Sequence, residues 1–79
     1  MTMEYDPHGT ELLDVAAHFM RAQSDKAVAP IRWCKAIHEG IHDAKCDTDL
    51  FILLTRLTTE GSPTEHEQAD LLARSLYHV

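Results

Sequence analysis

Apolar residues return at intervals of three and four along almost the whole 79-residue chain, and nowhere do they alternate strictly with polar ones. That spacing places side chains on one face of an α-helix, about 100° apart per residue, whereas a half-buried strand would repeat every second residue. It sorts the sequence into four amphipathic segments, near 7–22, 30–44, 48–59 and 63–78. Short connections between them imply a compact all-α, four-helix bundle. With room for one domain only, residues 1–79 form that single unit.

Each segment has its own signals. In the first, Asp6 is placed to cap free N–H groups and Pro7 suits the first helical position. Leu12, Leu13, Ala16, Phe19 and Met20 share one face. The second opens at Pro30 and carries Trp33, Ile37, Ile41 and Ala44 on its stripe, with Ala36 and Gly40 alongside. A glycine costs about 1 kcal/mol inside a helix, so Gly40 on the apolar side predicts a second helix packed close against it.

The third segment contains the run Leu50-Phe51-Ile52-Leu53-Leu54. A strand competes for so short a run, but Leu57 continues the helical period and no second strand exists to pair with it. Helix is therefore expected, from an Asp47 or Thr48 cap. Leu50, Leu53, Leu54 and Leu57 then share one face, and Phe51 and Ile52 point elsewhere. The fourth has the clearest start: Gly61 closes the preceding helix and Ser62-Pro63-Thr64-Glu65 fits a capping box. Ala69, Leu72, Ala73, Leu76 and Tyr77 make its apolar face. The expected core is Trp33, Ile37, Leu53, Leu54, Leu57, Leu72 and Leu76.

Charge narrows the function. The net charge is −6, distributed unevenly. Residues 1–25 set five carboxylates against Arg21, and 46–79 set six against Arg56 and Arg74. Only 26–45 is net positive, through Lys26, Arg32, Lys35 and Lys45. Phosphate contacts dominate nucleic-acid affinity, so nucleic acid is a disfavoured partner. No apolar run approaches the ~20 residues that span a bilayer, and the acidic N-terminus lacks a secretory signal. No membrane partner and a cytoplasmic address are expected, with Cys34 and Cys46 as reduced thiols.

A chain this small has little wall to spare for a substrate cleft. It shows neither a phosphate loop nor a nucleophile elbow, so no enzyme, no catalytic residue and no cofactor is expected. Cys34, His38, His42 and Cys46 recur every four residues, and both residue types bind zinc. On one continuous helix, however, Cys34 and Cys46 would stand about 18 Å apart, too far to share an ion. The expectation is no metal, with semi-buried cysteines and solvated histidines; a helical metal-binding domain using His38 and His42 is one alternative.

The short connections also resemble a helix-turn-helix, which makes a dimeric DNA-binding regulator another alternative. Against it, the third helix opens Asp47-Thr48-Asp49 and the fourth carries Glu65, Glu67 and Asp70 near its start. Unassigned apolar residues remain: Ile31, Leu71, Phe51 and Ile52. The expected function is a small acidic protein-binding regulator, an inhibitor or antiactivator that occupies a surface of a larger regulatory protein. Phe51, Ile52 and Arg56 are its expected partner-binding residues, and a homodimer is compatible with the same surface.

Overall fold

A computed structural model describes Asp6, residues 8–24 and residues 31–77. Four helices follow in order: α1 (Glu11–Ser24), α2 (Lys35–Asp43), α3 (Asp47–Glu60) and α4 (Pro63–Tyr77). No strand occurs among the described residues. The all-α bundle and its helix count agree with the periodicity. So does the core, where all seven expected residues are buried, joined by Leu13, Ala16, Met20, Leu50 and Ala69. Ile31 and Leu71 pack partly buried against this cluster and need no further role.

α3 and α4 form the most extensive helix pair. They are joined by two residues, and the capping box forms as read. The Glu65 carboxylate accepts from the Ser62 N–H at 2.8 Å and the Ser62 hydroxyl from the Glu65 N–H at 3.3 Å. Gly61 has φ −73°, an ordinary value for any residue. It is small for reasons of space, since a Cβ there would run into the Leu57 carbonyl and sit 3.0 Å from Glu65 Cβ. Gly40 also serves a close approach. A Cβ there would lie 2.5 Å from both terminal methyls of Leu53, so α2 and α3 meet where the sequence places a glycine.

The starts of α1 and α2 differ from expectation. α1 begins at Glu11, not at Pro7, which lies outside the described residues, and it runs to Ser24. Asp6 does not cap it. Its carboxylate accepts from the His8 N–H at 2.9 Å and its carbonyl from the Gly9 N–H at 3.0 Å, closing a turn ahead of the helix. The cap comes from a residue more than thirty positions away. Asp47, fully buried, accepts from the Leu12 N–H at 3.1 Å and the Leu13 N–H at 2.8 Å. The Asp47 N–H in turn donates to the Gly9 carbonyl at 2.8 Å. A carboxylate thus sits where two helix N-termini, those of α1 and α3, present free N–H groups and positive dipole ends. Asp47 is the first residue of α3, with Cys46 as the N-cap, so the expected Asp47 or Thr48 cap is also corrected.

α2 is shorter than the expected 30–44. Pro30 lies outside the described residues, and 31–34 are not helical. The reason is Gln68 on α4. Its amide oxygen accepts from the Cys34 N–H at 2.7 Å and its amide nitrogen donates to the Arg32 carbonyl at 2.9 Å. This pair of bonds uses backbone groups that a helix would have used, and Trp33 between them is buried. The Trp33 ring meets Phe19 edge-on at 6.1 Å. α2 ends at Asp43, so the four-residue recurrence from Cys34 to Cys46 never shares one helix.

Candidate interaction surface

With its core stripe occupied, α3 presents a second face outward. Phe51 and Ile52 are 57% and 58% exposed, while Leu50, Leu53, Leu54 and Leu57 on the same helix are buried. Helical geometry dictates this split, because residues 51 and 52 fall off the arc that 50, 53, 54 and 57 define. Phe51 is steadied from one side by Tyr77 of α4, whose ring stands edge-on at 6.4 Å. Ile52 has no comparable aromatic neighbour among the described residues.

Arg56, also exposed, lies one turn beyond Ile52. Among the described residues no carboxylate is within ion-pair distance of it. Thr59 donates its hydroxyl to the Thr55 carbonyl at 2.9 Å. That donor is spent within the helix, which leaves the hydroxyl oxygen as an acceptor.

Two shallow depressions flank the line from Ile52 to Arg56, which both include. One, of about 350 Å³, is lined by Phe51, Ile52, Thr55, Arg56, Thr59 and Glu60. The other, of about 270 Å³, brings in Gly40, Asp43, Ala44, Asp49 and Leu53. Phe51, Ile52 and Arg56 therefore share one surface. Such a face, with an apolar centre and a polar margin, can take up protruding side chains of another molecule.

Tyr77 behind this surface is half-buried, and its hydroxyl is enclosed with no hydrogen-bond partner. Burial and then the nearby Asp47 carboxylate push its phenol above the ordinary value of 10.0. The Trp33 indole N–H is likewise enclosed and unpartnered.

The remaining singled-out residues lie elsewhere. His38 and His42 are exposed on α2, and His42 approaches the Asp43 carboxylate at 3.3 Å. Cys34 and Cys46 are half-buried at the starts of α2 and α3. The described residues contain no group of three or more His, Cys, Asp or Glu side chains that could hold a metal ion. Nor do they contain a helix long and apolar enough to cross a membrane. Val15 of α1, 53% exposed, was not singled out by the sequence pattern. The buried acceptor role of Asp47, expected only as a cap of the third helix, and the role of Gln68 were also missed, although each leaves a signal. Asp47 continues the stripe of Leu50, Leu54 and Leu57, and Gln68 stands one turn before Leu72. A polar residue in register with an apolar stripe marks a buried hydrogen-bonding role.

No family model matches the chain, and neither a curated protein nor a solved structure matches it.

Proposed function

We propose that this protein is a cytoplasmic, non-enzymatic regulator that works by binding a larger protein through the outer face of α3. In this reading it inhibits or restrains that protein by covering one of its surfaces. The observation that carries the proposal is the pair Phe51 and Ile52, each more than half exposed on a helix whose inner stripe is already complete. A small chain gains little in its own stability from leaving the larger part of two apolar side chains in water. They become useful when another molecule covers them.

Interface anchors are characteristically apolar or aromatic side chains ringed by polar ones, and arginine is enriched among them. Phe51 and Ile52, bordered by Thr55, Arg56 and Thr59, meet that description. The acidic balance suits a partner with a basic margin, which would speed association more than it deepens affinity. The exposed carboxylates near the starts of α3 and α4, Asp49 and Glu67, favour this reading over a DNA reader, whose reading helix begins at the phosphate-lined groove.

The test is capture from native extract with the wild-type chain and Ile52→Asp in parallel, followed by a binding isotherm for the retained protein. A partner held by the wild type and lost with Ile52→Asp supports the proposal. Equal retention by both contradicts it.

A further inference from the structure

A further trough lies on the other flank of α2, facing α1, and its polar lining differs in kind. It encloses about 380 Å³ and is lined by Ala17, Met20 and Arg21 of α1 and by His38, Ile41 and His42 of α2. The floor is apolar, from Ala17, Met20 and Ile41. Among the described residues, its polar lining is Arg21, His38 and His42, with no carboxylate. By contrast, the depression on the α3 side of α2 is lined by Asp43 and Asp49 with Arg56. Within a chain of net charge −6, α2 thus separates a trough edged by one guanidinium and two imidazoles from a depression edged by two carboxylates and one guanidinium.

We infer that this α1–α2 trough is a second docking site, and that its occupant is an acidic amphipathic helix of a partner protein. Charge selects the sign. Arg21 is a permanent cation with a fork of donors that matches a carboxylate, and each imidazole also offers an N–H. Among the described residues, the neighbouring acids have contacts of their own: Glu39 pairs with Lys35 at 3.6 Å, Asp14 accepts from the Thr10 hydroxyl at 3.3 Å, and Asp43 meets His42 at 3.3 Å.

Shape selects a protein element. Each wall is about one helical turn long, near 6 Å of rise, and the trough is open to solvent. That accommodates one or two apolar side chains from a ridge, in the manner of helix packing. It would leave much of a small ligand uncovered. An apolar floor has nothing to offer a phosphate backbone, and the chain's net negative charge repels a long polyanion. The site is independent of the outer face of α3.

Two synthetic amphipathic peptides with the same leucine ridge, one flanked by glutamates and one by lysines, provide the test at low salt. A DNA duplex serves as a third probe, and methyl NMR reports the site. The glutamate peptide should shift the Ala17, Met20 and Ile41 methyls and bind at least about tenfold more tightly than the lysine peptide. Arg21→Glu combined with His38→Glu should reverse that preference, and Arg21→Gln should weaken it. All three substitutions fall on exposed positions, so an unchanged melting temperature is expected, and the wild-type comparison stands without them. No binding of the glutamate peptide, equal affinity for both peptides, shifts centred on Phe51 and Ile52, or a preference of these methyls for the duplex would each overturn the inference.

Discussion

The two faces of α3 are built from one stretch of sequence and obey opposite rules. On the inner face Asp47, Leu50, Leu53, Leu54 and Leu57 are buried, the four leucines within the core cluster. Leu53 fills the space left by Gly40, and Asp47 closes the start of α1. On the outer face Phe51 and Ile52 stay exposed, and Arg56 has no ion-pair partner among the described residues. The inner face is therefore accounted for by folding, and the outer face is not. Residues that folding does not explain are where binding should be sought.

Substitutions on the inner face should be costly. Leu54→Ala is expected to destabilise by about 2–5 kcal/mol, the range for emptying a buried leucine site. In so small a domain that approaches the whole stability, so the chemical denaturation midpoint should collapse. An unchanged midpoint would mean that Leu54 is not a core residue.

Asp47→Ala should cost about 3 kcal/mol, because it leaves the Leu12 and Leu13 N–H groups without their acceptor in a buried place. Asp47→Asn, which keeps one carbonyl oxygen, should cost roughly half as much. Hydrogen exchange would localise the loss, with the first turn of α1 losing protection before α4 does. Uniform loss of protection would mean that Asp47 holds the bundle together in some other way than as a cap.

These two residues separate what was legible in the sequence from what was not. α3 and α4 could be read almost to the residue, because their stripes and the Ser62–Glu65 box are local features. The beginnings of α1 and α2 could not. Each is decided by a side chain that arrives from another helix, Asp47 for α1 and Gln68 for the segment 31–34. A local signal such as Asp6-Pro7 suggests where a helix can start, and a long-range acceptor decides where it does. The exposure of Phe51 and Ile52 was legible for a related reason: it follows from helical angle alone. The trough around Arg21, His38 and His42 was not, since it exists only where α1 and α2 meet.

Gly40→Ala should have a smaller effect, about 1 kcal/mol of destabilisation. The gain in helix propensity is outweighed by forcing Leu53 out of its position. A stabilised variant would show that Leu53 swings aside freely and that the α2–α3 contact is loosely packed.

The Tyr77→Phe substitution lies nearer the boundary between the two faces. At neutral pH it removes a hydroxyl with no hydrogen-bond partner, so stability should change by less than about 1 kcal/mol. The difference should appear in alkali. The folded-state phenol ionises above 10.0, its value in the unfolded chain, because burial and then Asp47 disfavour the charged form. The unfolded state therefore releases its proton first as pH rises through 10.0, and stability falls over that interval. Tyr77→Phe should lose this contribution to the alkaline decline. Identical alkaline profiles for the two proteins would show that the phenol is solvated.

Ile52→Asp should have the smallest effect on folding and the largest on function, which makes it the most direct measurement. Melting temperature, oligomeric state by size exclusion and partner affinity are measured on the same variant. The expected result is a stability within about 0.5 kcal/mol of wild type, an unchanged oligomeric state, and partner binding weakened by roughly 2 kcal/mol or more. Loss of the fold would place Ile52 in the core, and dissociation of a dimer would place it in a self-interface. Undiminished partner binding by a folded variant of unchanged oligomeric state would contradict the assignment of α3 as the contact surface.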